Sequence, residues 1–393
     1  MLSPDFFKHV AQTSPEPIPL SISHAKGVYL YGKKGEKIID FISGICVNNL
    51  GHGVPEVIEA IQNQAEKYLH PNVYGDVDME PQTAYARALC EALGPGFDQV
   101  YFLGSGAEAV EGSLKIAKKF TGRTKLVACE QSYHGSSHGA LSVTGADWKK
   151  QGYGPLLPNV HFIPFNDKES LQKIDEETAA IIIEPIQGAG GIIIPDDGYL
   201  QAVKNRCQEV GALMILDEIQ TGFGRTGSLF AHQDMGFRPD IILLAKALGG
   251  GMPLGAFVTR TEVMNSIRQD PILGHISTFG GHAVCCAAGL ASFKKLRNSD
   301  LIAQVKMKEQ WLIEGLQQLD IEGFRGKGLL YAALFKDFDT ANTIRAKALE
   351  LGLLTIGFLN IPNGLRIAPP LTISKAEMDE AFAILSAAIT EVK

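Results

Sequence analysis

The sequence predicts an α/β protein with a mostly parallel central sheet flanked by helices and a smaller α+β domain. Three observations carry this. Strands and helices alternate between about residues 99 and 260. Segments such as IIIEP and LMILDE are apolar throughout instead of alternating, as strands covered on both faces are. The last hundred residues change character, with long helices interspersed with short strands.

Taken in order, the proline-punctuated start gives way to GVYLYGKKGEKIIDF, which reads as a hairpin turning at Lys33–Gly35. From about residue 55 the spacing of Val57, Ile58, Ile61 and Ala65 predicts a helix with those side chains on one face. QVYFLG at 99–104 is a strand and AEAVEGSLKIAKKF at 107–120 a helix. Strands follow at 125–129, 159–165 and 179–185. A helix at 199–211 stops at a glycine, and further strands lie at 212–218, 240–246 and 255–260. Beyond them, helices near 283–297, 300–319, 339–351 and 375–391 alternate with strands at 328–335, 353–358 and 364–369. The expected organisation is an N-terminal segment 1–50 that packs with the small domain, a large domain 51–290 and a C-terminal small domain 291–393.

Composition sets limits on function. The 393 residues are 45% hydrophobic and 20% charged, which excludes an extensively disordered chain. A net charge of −7 argues against a uniformly basic nucleic-acid binder. Six cysteines, at 46, 90, 129, 207, 285 and 286, form no CxxC pair, and they read as reduced thiols of a cytoplasmic protein. The N-terminal stretch lacks the apolar core of a leader, and no apolar run is long enough to span a membrane. His134 and His138 are four apart, but the stretch is glycine-rich with no further ligand nearby, so no metal is expected. The paired lysines, including 149–150, read as solvated faces.

Three stretches carry chemistry. In GSGAEAVEGSLKIAKKF at 104–120, a strand runs through small residues into a helix whose N-terminal N–H groups suit a phosphate; an ordinary tight turn is the alternative. In ALMILDEIQTGFGRTG, Asp217 and Glu218 end an apolar strand and point to opposite faces. A carboxylate there needs a cationic partner or exposure to solvent. In DIILLAKALGGGM, Lys246 ends another apolar strand, where burial would lower its pKa and make the amine nucleophilic, unless it reaches the surface. Together these are three of the groups a pyridoxal phosphate enzyme requires: a phosphate site, an acid for the ring nitrogen and a lysine for the aldehyde. Tyr133, in SYHGSSHG after a strand, supplies an aromatic to stack on the ring.

Nearly the whole chain resembles the class III (subgroup II) pyridoxal-phosphate aminotransferases of fold type I, close to the acetylornithine/ornithine aminotransferases. The resemblance rests on GHGVPEVIEAIQNQ, GSGAEAVEGSLKIAKK, SYHGSSHGALSVTG, IIIEPIQGAGG, LDEIQTGFGRTG, LLAKALGGGMPLGA, STFGGH and GLRIAPPL, in that order. It implies that Lys246 is the Schiff-base lysine that forms the internal aldimine and that Asp217 partners the pyridine nitrogen. By the same resemblance, Gln220 reaches the cofactor's phenolic oxygen, and Ile219 packs on the ring face opposite Tyr133. Ser105, Gly106 and Ala107 align with the phosphate loop, and Glu184 is an active-site acid. Thr278 would bind the phosphate of the neighbouring subunit's cofactor in a homodimer with a shared site. Arg366 would bind a substrate carboxylate. The implied reaction moves an amino group from an acetylornithine- or ornithine-like donor to a keto acid, 2-oxoglutarate being the expected acceptor.

The sequence departs from the family pattern at several places. Ser136 stands where an arginine is usual, and Ala189 where a glutamate is usual. Both residues bear on carboxylate binding, so the departures imply weakened ornithine δ-transfer. Gly104 replaces a common asparagine, and His282–Ala283 a common Asn–Pro. Alternative readings are a class III transaminase for another amine, such as 4-aminobutyrate, alanine or a diamine, or an aminomutase or racemase of the same fold. A regulatory module would need a DNA-binding domain that the sequence does not suggest.

Overall fold

Seven strands form the central sheet of the computed structural model, which describes residues 2–392. Three short N-terminal strands precede them: β1 (Ile22–Lys26), β2 (Tyr29–Gly32) and β3 (Lys37–Asp40). The central strands are β4 (Gln99–Leu103), β5 (Lys125–Cys129), β6 (Val160–Ile163), β7 (Thr178–Ile183), β8 (Leu213–Asp217), β9 (Ile241–Leu244) and β10 (Gly255–Thr259). They lie in the order β4-β10-β9-β8-β7-β5-β6. Only β10 runs against the others, pairing antiparallel with both β4 and β9. The carboxyl ends of the other six therefore share one edge, where open α/β sheets bind ligands.

The apolar strands are buried on both faces. Val127, Ile181, Met214, Leu216, Ile242 and Val258 join one core cluster, and their neighbours Leu126, Ile182, Leu213, Ile215, Ile241 and Phe257 join the other. This is the two-residue period of a strand with helices on each side. The Gly106–Thr121 helix covers the second face with Ala109, Val110, Leu114 and Ala117. Helices Glu80–Leu93, Tyr199–Val210 and Ala283–Arg297 cover the first with Tyr85, Leu89, Val203, Cys207 and Phe293.

Two four-stranded sheets make up the remainder. They add β11 (Gly323–Lys327), β12 (Leu330–Leu334), β13 (Leu353–Leu354), β14 (Ile356–Gly357) and β15 (Gly364–Ile367). One has the order β1-β2-β3-β13, so the C-terminal region pairs with the N-terminal segment through a parallel β3–β13 contact. The other has the order β11-β12-β15-β14.

The structure differs from the sequence reading in several places. The strand expected at 353–358 is two strands in different sheets, divided at buried Thr355, whose Oγ1 donates to the Arg366 carbonyl at 2.6 Å. In helix Pro55–Lys67, Val57 and Gln64 are buried, whereas Ile58 is 45% exposed and Ala65 is exposed. Helix Glu80–Leu93 and strand β11 lie outside the elements the sequence predicts. Lys246 lies just beyond its strand, at the start of a 3-10 turn. The expected division at 290/291 falls inside the helix Ala283–Arg297. No described helix is long and apolar enough to cross a membrane.

Candidate active site

A cavity of about 940 Å³ opens at the carboxyl edge of the central sheet, between it and β14–β15. Its walls include Ser105, Gly106, Ala107, Tyr133, Glu184, Asp217, Ile219, Gln220, Lys246 and Arg366. Ten of the eleven residues singled out in the sequence thus converge on one space. Thr278 does not. It is exposed and borders a separate hollow with Gly104, Glu108 and Phe279.

The phosphate-loop candidates are built by helix capping. Ser105 is the N-cap of helix Gly106–Thr121, and its Oγ accepts from the Glu108 N–H at 3.2 Å. Glu108 Oε2 in turn accepts from the Gly104 N–H at 2.7 Å. The N–H groups of Gly106 and Ala107 have no acceptor among the described residues, so the helix N-terminus offers two donors to an anion. Two glycines permit the close fit of this turn. A Cβ at Gly255 would stand 2.0 Å from the Ser105 carbonyl oxygen. At Gly135, with φ +136, a Cβ would come within 2.9 Å of Ala107 Cβ, so glycine lets the Tyr133 loop close over the helix.

The two acids of β8 diverge as alternation requires. Glu218 turns away from the cavity to His232 Nδ1 at 2.9 Å and to the Ala231 and His232 N–H groups. Asp217 faces the cavity. Its Oδ1 accepts from the Ile219 N–H at 3.0 Å, and its Oδ2 lies 2.7 Å from His134 Nδ1. That contact requires a proton on Nδ1, because an ionised carboxylate only accepts. His134 is 3% exposed, its Nε2 is buried without a partner, and its backbone N–H donates to Thr144 Oγ1 at 3.1 Å. Sequence reasoning considered His134 only as half of a metal pair and missed this role. No metal-binding group of three or more His, Cys, Asp or Glu side chains occurs among the described residues.

Lys246 follows β9 with φ +51, a left-handed conformation uncommon for a side-chain-bearing residue. Burial lowers its pKa and Arg366 adds to this, while Cys46, Asp217 and Glu184 oppose. Its amine has no hydrogen bond or ion pair among the described residues. Glu184 follows β7. Its Oε1 accepts from the Gly188 N–H at 3.0 Å, and its Oε2 is buried without a partner. Burial pushes its pKa up to about 7, with nearby His134 opposing and Asp217 reinforcing. Gln220 Nε2 lies 3.8 Å from Cys46 Sγ, and its Oε1 would stand 2.3 Å from a Cβ at Gly188.

Arg366 comes from the other sheet, on β15, and is 5% exposed. Its guanidinium lies over Phe358 at 4.7 Å from the ring centroid, with Nε buried and unpartnered. Burial lowers its pKa. A buried guanidinium without a carboxylate is costly, and an anionic ligand relieves that cost. Ser136 Oγ, at the cavity wall, lies 3.2 Å from the Tyr133 hydroxyl, and Ala189 is buried in the same wall. Lys149, which the sequence suggested was solvated, is half-buried and also lines the cavity.

These groups fit pyridoxal phosphate. Free helix N–H groups suit its phosphate, a buried strand-end aspartate its ring nitrogen, an unpaired lysine its aldehyde, and Tyr133 with Ile219 its ring faces.

Comparison with known proteins agrees over nearly the full length. A family model described as "Aminotransferase class-III" matches residues 10–389. The acetylornithine aminotransferase of Caldanaerobacter subterraneus subsp. tengcongensis is 39% identical over 388 residues, covering 95% of this chain and 96% of that protein. The crystal structure of the ornithine aminotransferase from Toxoplasma gondii superposes with a TM-score of 0.91 at 30% identity, covering 98% of this chain and 94% of the other. An (S)-enantioselective omega-transaminase from Thermomicrobium roseum gives a TM-score of 0.90 at 29% identity, covering 99% and 97%.

Proposed function

The chain belongs to the class III aminotransferase family and is a pyridoxal-phosphate-dependent transaminase, and we propose that its donor is an acetylornithine- or ornithine-like amino acid and its acceptor 2-oxoglutarate. The donor half rests on the relatives, and the observation that carries the acceptor half is Arg366, a buried guanidinium without an acid partner in the cavity that also holds Lys246 and Asp217. It calls for a substrate carboxylate near the reacting groups.

When bound, the cofactor supplies an aldehyde for the donor's amine and a ring that accepts electrons from the adjacent carbon. The Gly106 and Ala107 N–H groups would hold its phosphate, with Ser105 keeping the helix end open. Asp217 would hold a proton at the ring nitrogen, and His134 and the Ile219 N–H fix its carboxylate for that task. Lys246 would carry the cofactor between turnovers. Once freed, its amine, with a pKa lowered by burial, takes and returns the proton at the substrate carbon. Gln220 would reach the phenolic oxygen, and Glu184 stands beside the substrate space.

A second donor reading is favoured by Ser136 and Ala189, which place a hydroxyl and a methyl in the wall where the family resemblance leads one to expect an arginine and a glutamate. Uncharged amines or α-amino acids are then relatively favoured. We also propose a homodimer. The support is the exposed apolar run Ile272, Leu273, Ile276 and Phe279 flanking Thr278, each of these four at least 57% exposed. Six free cysteines support a cytoplasmic location.

The test is a product assay with N-acetylornithine, ornithine, 4-aminobutyrate and alanine, each with 2-oxoglutarate or pyruvate. Glutamate formed in proportion to N-acetylornithine consumed supports the reading. Turnover of a single amino acid without any keto acid would replace it with a mutase or racemase.

A further inference from the structure

Lys149 is the cavity-lining cation that the roles above leave unused. It sits in the 3-10 turn Asp147–Lys150, which borders the same space as Tyr133, Ser136 and Arg366. Its Nζ lies 5.4 Å from the centroid of the Tyr133 ring and 4.6 Å from that of Trp148. Neighbouring Lys150 is differently engaged, pairing with Asp147 at 3.2 Å and lying over Phe162. The Lys149 ammonium has no hydrogen bond or ion pair among the described residues, its backbone N–H alone donating to the Ala146 carbonyl at 3.1 Å. Neither acid of the cavity pairs with it: Asp217 bonds to His134 and the Ile219 N–H, and Glu184 accepts from the Gly188 N–H through Oε1. Two aromatic rings hold the ammonium, yet its N–H donors lack an acceptor.

Lys246 aside, the cavity therefore presents two unpaired cations on different elements, Arg366 on β15 and Lys149 beside the Tyr133 loop. One carboxylate satisfies one of them. A substrate with carboxylates at both ends satisfies both. We infer that Lys149 binds the second carboxylate of a dicarboxylate substrate, the end that Arg366 does not hold. This rests on the reading that the cavity receives a keto acid such as 2-oxoglutarate. It also gives Ser136 a place: a hydroxyl there leaves room for an ammonium that arrives from the neighbouring turn. Lys149 is thus a residue that sets substrate choice, selecting the acceptor by its far charge.

The test compares cofactor-loaded wild type, Lys149→Met and Lys149→Arg. Glutarate, which has both carboxylates but no amine or keto group, is titrated by calorimetry. The ratio of kcat/KM for 2-oxoglutarate over pyruvate is measured alongside. Loss of one charge-assisted contact should weaken glutarate binding and lower that ratio by about 10- to 150-fold in Lys149→Met, with most of both restored in Lys149→Arg. An unchanged ratio and glutarate affinity in Lys149→Met overturns the inference. So does a variant that instead loses cofactor at a fixed ratio, because Lys149 would then only support Tyr133. If wild type transfers an amine to neither acceptor, the proposed function fails while the glutarate titration still decides the role of Lys149.

Discussion

Asp217 Oδ2 lies 2.7 Å from His134 Nδ1, joining the end of β8 to the loop after β5 with both side chains buried. The aspartate is thereby held in one orientation at the cavity floor. The role proposed for it toward the ring nitrogen would depend on that orientation, and His134 would then be a positioning residue. Replacing His134 with Asn or Phe should lower kcat by about 10- to 150-fold, the worth of one charge-assisted hydrogen bond, with little change in KM. The cofactor's visible band and its pH titration should shift as well. A variant with normal kcat and an unchanged spectrum would show the pair to be purely structural.

Lys246 should be the point of covalent attachment. Its unpaired amine, its pKa lowered by burial, and its φ of +51 at the end of β9 motivate this. Borohydride treatment of the purified holoenzyme should fix the cofactor on the peptide that contains Lys246. Lys246→Ala should remove that adduct and lower turnover by several orders of magnitude. A reducible adduct on Lys246→Ala protein would move the assignment to another lysine.

Much of this site was legible because strand ends are legible. Fully apolar runs stop at Asp217 and just short of Lys246, and topology then sends those ends to one edge. His134 was not legible, since nothing local tells that the Tyr133 loop folds over β8. Lys149 looked like half of a solvated Lys–Lys pair, and only the cavity separates it from Lys150. Helix Glu80–Leu93 did leave a signal, Tyr85, Leu89 and Leu93 at spacings of four, all of them buried. Thr355 left none, because LLTIGF reads as one strand until two separate sheets claim its halves.

Glu184 should make stability fall as pH rises through the range below neutrality. Burial raises its folded pKa to about 7, whereas an unfolded glutamate ionises near 4.5. Below both values the carboxyl is neutral in each state and costs nothing. Between them the unfolded chain releases its proton while the folded one keeps it, so the folded state loses ground. Above about pH 7 the penalty is complete, on the order of 3 kcal/mol. Relative to wild type, Glu184→Gln should therefore gain stability by about that amount between acidic and mildly alkaline pH. Denaturation at a series of pH values measures it, and a constant gap between the two proteins would refute the assignment.

Thr278 should act across a dimer interface. It is exposed and outside the large cavity of its own chain, in an apolar segment open to solvent. A hydrogen bond to a phosphate is worth about 1.5–3 kcal/mol, so Thr278→Ala should release cofactor more readily while staying folded and dimeric. Dialysis against buffer reads cofactor retention, and sedimentation reads assembly. A fully active monomer would defeat the proposal.

Donor choice should follow the same electrostatic account. Where the family resemblance leads one to expect an arginine and a masking glutamate, Ser136 offers a hydroxyl and Ala189 a methyl group. Arg366 then has no acid to cover it in either half-reaction, in keeping with its unpartnered Nε. An uncovered arginine favours donors whose α-carboxylate lies beside the reacting amine. It disfavours transfer of a distal amine, whose far carboxylate must find another cation. Each missing charge-assisted contact costs about 1.5–3 kcal/mol, or roughly 10- to 150-fold in kcat/KM. Lys149 is placed to offset part of that loss, because it borders the same wall. Ornithine δ-transfer should therefore be weak relative to α-amino acids, and weaker still in Lys149→Met. Ser136→Arg should raise kcat/KM for ornithine and N-acetylornithine and leave alanine nearly unchanged. The measurement is kcat/KM for ornithine, N-acetylornithine, 4-aminobutyrate and alanine in wild type and both variants. Strong wild-type preference for ornithine, unaltered by Ser136→Arg and by Lys149→Met, would show that neither position governs the far carboxylate.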